Sequence, residues 1–312
     1  MKAIVLKTAG NVENLEYVEL EKPTIKDGEV LVKVKAISIN PVDTKSRQGK
    51  GVYGRIKEES PLILGWDISG IVEESKSEIF KVGDEVFGMV NFPGHGKAYA
   101  EYVVAPANQL ALIPKNISFE DAAASTLVAL TAYQALVHNA NIQKGQNVLV
   151  HAASGGVGHF AVQLAKHLGA HVTGTSSLKN KDFVLSLGAD SYIDYHSVDW
   201  KTAPEAFDFV LDTIGGDNID NSLEVTKEGG TIISIPSGLN EKVTEKAEAK
   251  GVKGYFILVQ SNGDDMKQIA HLLEIGAIKP HVSKTFPFEQ MREAHLEQET
   301  GRTVGKIIIK LN

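Results

Sequence analysis

The spacing of apolar positions changes near residue 119. Upstream, short stretches are period-two or β-rich: KAIVL (2–6), GEVLVKVKAISI (28–39), SGIVEES (69–75), DEVFGMV (84–90) and AEYVVAP (100–106). A period of two sends successive side chains to opposite faces, so each stretch predicts a strand. Clusters such as KDGE and FPGHGK supply turns between them. Residues 1–120 therefore predict an all-β domain, built as a partly open barrel.

From residue 119 the rhythm is different. Ser118, three residues before Asp121, predicts a cap for one apolar helix running through AAASTLVALTAYQALVHNA. Strands predicted at 147–151, 171–175, 191–194, 207–212, 230–235 and 253–259 then alternate with helices at 157–168, 179–187, 216–226 and 264–275. Such alternation pairs strands in parallel through right-handed crossovers, so residues 121–280 predict a doubly wound α/β domain. The tail returns to strands at VSKTFPF and VGKIIIKL, around a short helix at 288–299. Residues 281–312 thus complete the β domain, and the α/β domain is an insertion in it.

Composition narrows the function. The 312 residues are enough for two domains and carry a net charge of −7. No basic block is present, which excludes a surface built to neutralise nucleic-acid phosphates. No apolar run approaches the ~20 residues that span a bilayer, and MKAIVLKTAG lacks the apolar core of a signal peptide, so a cytoplasmic protein is expected. The absence of cysteine excludes disulfides, thiolate metal sites and a cysteine nucleophile.

The most informative stretch is NVLVHAASGGVGHFAVQLAKHLGAHVTGTSS, residues 147–177. A buried strand leads into a glycine-rich loop, then an apolar-periodic helix and a second strand. Unpaired N–H groups at a helix N-terminus favour an anion such as a diphosphate. Ser154, Gly155, Gly156, Val157 and Gly158 form the loop that predicts dinucleotide binding; Ala153 stands where the fingerprint has its first glycine. An acidic residue after the second strand binds the 2′-hydroxyl of NAD. Here GTSSLKNKD offers none before Lys181, while Ser176, Ser177 and Lys179 favour the 2′-phosphate of NADPH.

AASGGVG, with LTAYQAL before it and FDFVLDTIGG after it, resembles the medium-chain dehydrogenase/reductase superfamily. KAIVLKTAGNVENLEYVEL at the start and GRTVGKIIIKL at the end extend the resemblance over the whole chain. It implies a GroES-like β domain, an inserted Rossmann domain, and a cofactor cleft between them. Zinc members carry Cys and His ligands at positions that match Asn40, Trp66 and Leu127 here, so the resemblance is to the zinc-free quinone oxidoreductase and enone reductase branch. INPVDTKSRQG is particularly similar to that branch.

That branch transfers hydride from NADPH to quinones or to α,β-unsaturated carbonyls. A donor near the acceptor oxygen stabilises the charge that develops there. Asn40, Lys45 and Tyr53 are the candidates, with Tyr53 or water giving the final proton. Asn40 before Pro41 also reads as a turn residue, Lys45 and Tyr53 as rim residues, and Asp43 as a structural acceptor. The resemblance further implies cofactor contacts for Thr131, Tyr195, Asp212, Ile214, Ile235, Phe256 and Lys306. Loops at 49–56, 91–97 and 239–253 are expected to line the substrate pocket, and KGYFILVQ is an apolar edge strand through which a homodimer is expected. Two other functions fit the same scaffold: a zinc-free reductase of simple ketones or aldehydes, and a non-catalytic NADPH-binding member.

Overall fold

The computed structural model describes residues 1–311 except 205, 237 and 241. Residue 312, the end of the expected β-domain tail, and residue 241, in the expected pocket loop, lie outside the described residues. The chain forms two compact units: Met1–Leu130 with Val259–Gly276 and residues 280–311, and Thr131–Leu258 with Ala277–Lys279.

In chain order the first unit begins with β1 (Lys2–Leu6), β2 (Leu15–Glu19) and β3 (Glu29–Ile39). Helices α1 (Pro41–Arg47) and α2 (Tyr53–Ile56) follow. Then come β4 (Asp67–Ser75), β5 (Glu85–Met89), β6 (Tyr102–Pro106), β7 (Leu110–Leu112), α3 (Phe119–Ala124) and α4 (Leu127–Tyr133). The second unit runs β8 (Asn147–Val150), α5 (Gly156–His167), β9 (His171–Ser176), α6 (Lys181–Ser186), β10 (Ser191–Asp194) and β11 (Phe207–Asp212). It ends with α7 (Asn218–Val225), β12 (Thr226–Ser234), α8 (Val243–Glu248) and β13 (Lys253–Phe256). Helix α9 (Gly263–Glu274), β14 (Val282–Pro287), α10 (Met291–Glu299) and β15 (Lys306–Lys310) follow.

The main sheet of the first unit has the order β14-β15-β3-β4-β5-β7, with β6 also on β3 and β1-β2 as a separate antiparallel pair. β3 is its centre, paired antiparallel with β4, β6 and β15. Its Val30, Leu31, Val32, Val34, Ile37 and Ile39 are buried, each stabilising the fold by roughly 1.5–3 kcal/mol. Pairing of β15 with β3 ties the C-terminal segment into this unit. β2 and β7 were not expected. Only Leu15 of LEYVE is fully buried, and LAL is three residues long, so neither leaves a period-two signal.

The helix expected over 122–140 is broken. Ser125 Oγ bonds the Asp121 carbonyl at 2.7 Å and Thr126 Oγ1 the Ala123 carbonyl at 2.8 Å, closing α3 from its own backbone. Leu127 then restarts the chain as α4, its N–H donating to Asp67 Oδ1 at 3.1 Å. Ala123 and Ala124 of α3 lie against Ala36 and Ile308, where small side chains allow a helix to approach the sheet closely.

The second unit is a parallel six-stranded sheet of order β10-β9-β8-β11-β12-β13. Numbered within the unit, this is the 3-2-1-4-5-6 doubly wound order, with its switch point between β8 and β11. Leu149, Val210 and Ile232 of the sheet pack with Ile219 and Leu223 of α7 and Val243 of α8. Helix α8 was not expected. Helix α9, counted by its pattern among the α/β helices, belongs to the first unit. Gly263 at its start sits so close to Asn108 that a Cβ would meet that carbonyl oxygen at 2.4 Å.

Candidate functional site

The Asn40 segment begins where β3 ends and α1 starts. Pro41 fixes the first helical φ, and the Asp43 carboxylate accepts the Asn40 N–H at 2.7 Å, so the turn closes on itself. Asn40 is wholly buried. Its Nδ2 donates to Asp67 Oδ2 at 2.7 Å and makes a longer contact of 3.4 Å with the Ser38 carbonyl, while its Oδ1 accepts from Lys306 Nζ. Lys306 Nζ also donates to the Ile39 carbonyl at 2.7 Å. Asn40 is therefore a bridge between a buried ammonium and a buried carboxylate. Its carboxamide is engaged internally, which differs from the open donor expected of it, and Lys306 is buried beneath it instead of facing a cleft.

Burial dominates the electrostatics here. It pushes the Asp67 carboxyl up to about 6, opposed by Lys306 and by the hydrogen bond from Asn40. Burial and then the Asp67 charge hold Asp43 well above the ordinary carboxylate range. Burial pulls Lys306 down to about 8, against the attraction of Asp67 and then Asp43. Tyr99 and His295 continue the buried polar group: Tyr99 Oη lies 2.9 Å from His295 Nε2, and burial draws the imidazole down to about 3. The sequence reading missed Tyr99 and His295; the 196 residues between them leave no local signal.

Lys45 and Tyr53 stand apart from this group. Both are part-exposed and flank the turn through Gly49 and Gly51. Burial, reinforced by the neighbouring Lys50, lowers the pKa of Lys45.

In the second unit the glycine loop has the expected placement, after β8 and before α5. Gly155 is the N-cap of α5, with Gly156 and Val157 in its first turn. The first N–H groups of a helix have no partner within it, which supplies an anion cradle. Gly158 is required by packing: a Cβ there would meet Ala152 O at 2.2 Å and Ala153 Cα at 2.8 Å. The alanine in place of the first glycine is compensated across the sheet. A Cβ on Gly174 of β9 would meet Val184 Cγ1 at 2.5 Å and Ala153 Cβ at 2.8 Å, so the side chain absent from Gly174 makes room for those at 184 and 153. The residues fit a dinucleotide.

At the end of β9, Ser176 is buried and its Oγ donates to the Ser177 carbonyl at 3.2 Å. Asn180 Nδ2 donates to Ser154 Oγ at 3.1 Å, bringing the loop serine and the end of β9 together, and lies 3.5 Å from Ser177 Oγ. Lys179 is exposed. Tyr195, 45% exposed, tilts against the His196 ring 4.1 Å away. At the switch point, buried His151 lies between Thr175 Oγ1 (3.2 Å) and Ser222 Oγ (3.1 Å), and burial pulls it down to about 4.

Asp212, expected as a cofactor contact, is buried and turned inward. Its carboxylate accepts the N–H groups of Ile214 and Gly215, Asn218 Nδ2 at 2.8 Å and Ser234 Oγ at 2.8 Å. It shapes the loop that leaves Ile214 exposed at the sheet edge. The Ile235 N–H donates to the Asp212 carbonyl at 3.0 Å, Phe256 is exposed at the end of β13, and Thr131 is buried in α4.

The three positions that correspond to zinc ligands do not fit zinc. Asn40 Oδ1 accepts from an ammonium, Trp66 is an indole whose Nε1 donates to Gly94 O at 2.7 Å, and Leu127 offers no donor atom. Among the described residues, no group of three or more His, Cys, Asp or Glu could hold a metal ion, and no helix is long and apolar enough to cross a membrane.

Known proteins resemble this chain in sequence and fold. Residues 26–115 match the family described as alcohol dehydrogenase GroES-like domain, and residues 187–309 the family described as zinc-binding dehydrogenase. The chloroplastic NADPH-dependent alkenal/one oxidoreductase of Arabidopsis thaliana is 35% identical, over 99% of this chain and 79% of that protein. The solved quinone oxidoreductase of Coxiella burnetii superposes with a TM-score of 0.94 at 36% identity, covering 100% of this chain and 99% of that one. The Escherichia coli quinone oxidoreductase complexed with NADPH superposes with a TM-score of 0.87 at 28% identity, covering 100% of both chains.

Proposed function

The chain belongs to the medium-chain dehydrogenase/reductase family, in its quinone oxidoreductase and enone reductase branch, and from that premise we propose that it reduces quinones or α,β-unsaturated carbonyls with NADPH and without a metal. What supports the metal-free part is the buried Lys306–Asn40–Asp67 bridge: Asn40, at a position matching a ligand of the zinc members, spends its carboxamide on a protein cation and a carboxylate. An acceptor polarised by conjugation needs no Lewis acid, whereas a simple ketone is a poor hydride acceptor without one, so quinones and enones are the better-matched substrates.

NADPH is held by the second unit, its diphosphate at the first turn of α5 and its 2′-phosphate by Ser154, Ser177 and Lys179. When bound it supplies the hydride. Ile214, Ile235 and Phe256 contribute surface at the C-terminal edge of the parallel sheet, where ligands of such sheets bind. In the first unit Asn40 sets the backbone of the segment that carries Lys45 and Tyr53, the groups that direct hydrogen bonds at the acceptor oxygen and return a proton. Burial lowers the Lys45 pKa, which makes its ammonium a better proton donor.

A substrate panel tests this. Cyclohexenone and a benzoquinone should be reduced with NADPH, cyclohexanone should not, and prior chelation should leave the rate unchanged. Turnover of cyclohexanone at a comparable rate, or loss of activity with a chelator that zinc restores, would overturn it. We place the enzyme in the cytoplasm as a homodimer pairing through β13, which lies at the sheet edge. Sedimentation at micromolar concentration should give twice 33.7 kDa, and a monomer refutes the pairing.

A further inference from the structure

The structure assigns to Asn180 the choice between phosphorylated and unphosphorylated adenosine cofactors: its amide donates to one serine hydroxyl and faces a second, which leaves both protons free for a ligand. This rests on the NADPH reading above and deepens it, because no part of the dinucleotide fingerprint calls for an asparagine here.

The three serines around this site are not equivalent. A hydroxyl has one proton to give and lone pairs to accept with. Ser176 gives its proton to the Ser177 carbonyl, so it has none left for a ligand. Ser154 is different: its Oγ accepts from Asn180 Nδ2 at 3.1 Å and makes no donor bond to the described residues. Ser177 Oγ lies 3.5 Å from the same nitrogen and likewise gives its proton to no described residue. An NH2 group behind both oxygens points both protons outward. A phosphate accepts only, so it is the complement of two outward donors. A ribose hydroxyl offers one oxygen and no charge, so it matches two outward donors beside Lys179 less well than a phosphate does.

The position of Asn180 explains how it reaches both. It closes the short turn Leu178–Asn180 after β9, with its N–H on the Ser177 carbonyl at 2.9 Å. That turn holds the carboxamide between the end of β9 and the loop before α5. Lys179, beside it in sequence and exposed, adds a cation without needing fixed geometry.

Two substitutions separate this role from a structural one. Asn180→Asp keeps the shape but replaces the NH2 by an acceptor, so the serine hydroxyls turn inward and a negative charge faces the phosphate. Asn180→Ala removes the amide and leaves the hydroxyls free to rotate. Binding is read by calorimetry with adenosine 2′,5′-bisphosphate and with AMP, which needs no turnover. The unsubstituted protein should bind the bisphosphate at least tenfold more tightly. N180D should lose about tenfold or more for the bisphosphate, N180A several-fold, and both should bind AMP within about twofold of the original. Retained preference in both variants overturns the role of Asn180 while leaving the NADPH reading intact. Equal losses for both nucleotides overturn it too, since they mark a collapsed loop. No preference in the unsubstituted protein overturns the NADPH reading itself.

Discussion

Lys306→Met removes one buried cation while keeping the side chain's length. The ammonium donates to the Ile39 carbonyl at 2.7 Å and to Asn40 Oδ1, and hydrogen bonds from a charged group contribute about 1.5–3 kcal/mol each. Their loss strands two oxygens away from solvent and leaves the buried Asp67 carboxylate less compensated. Two gains oppose this: methionine packs well, and the desolvation that holds Lys306 down to about 8 is relieved. The balance should resemble a broken buried ion pair, about 3–5 kcal/mol of lost stability. Replacing both charges, as in K306M/D67N, should recover roughly half of that, because neutral groups need no counter-charge. Urea unfolding followed by tryptophan fluorescence measures it in the right place. The two tryptophans are Trp66 in the first unit and Trp200 in the second, so a W200F background reports the first unit alone. A loss under about 1 kcal/mol for K306M, or a double variant as unstable as the two singles added together, would show that the bridge is not a coupled unit.

Gly158→Ala should cost at least tenfold in NADPH affinity by calorimetry, because its Cβ meets backbone atoms that cannot yield without moving the start of α5; Gly155→Ala, with nothing nearer than 3.2 Å, should cost less. Asp212→Asn should weaken binding of the whole cofactor about equally for NADPH and NADH, since the carboxylate shapes a loop and distinguishes neither; a change in their ratio counts against this. His295→Phe should remove one of the contributions that lower stability in acid. Burial holds this imidazole neutral down to about pH 3, whereas the unfolded chain protonates it near 6.5, so native stability falls as pH drops through that window. Asp67 works with the opposite sign, gaining its proton in the native state at about 6 and losing that contribution as pH rises from 3.8. The gap in urea midpoint between H295F and the unsubstituted protein should therefore shift in favour of H295F as pH falls from 6.5 to 4, and parallel curves refute the assignment.

The sheet of the second unit was legible because each of its strands carries its own signal. NVLV, HVTGTS and FDFVLD are short apolar or β-branched runs bounded by loops, and parallel pairing follows from the helices between them. The helix break at Ser125–Thr126 was not legible. Locally, AAASTLVALTAY is good helix sequence, and what interrupts it is the Asp67 carboxylate, 60 residues earlier, offering an acceptor to the Leu127 N–H. The same limit applied to α9, whose amphipathic pattern says that it packs but not on what.

The two halves of the candidate site differ in the same way. The glycine loop is a local device, and even its departure from the fingerprint is local to one sheet: the methyl at Ala153 is admitted because β9 carries a glycine at 174. Reading 153 and 174 as a pair would have turned an apparent defect in the motif into a packing rule. Asn40 is a long-range device. Its neighbours in sequence suggest a turn residue or an open donor, and both are incomplete, because its orientation is set by Asp67 on one side and by Lys306, 266 residues away, on the other. Side chains that hold a bridge of this kind must change together: a neutral residue at 306 calls for a neutral residue at 67, and either change alone leaves a buried charge without its counterpart. A carboxamide at 40 accepts from the first and donates to the second at the same time.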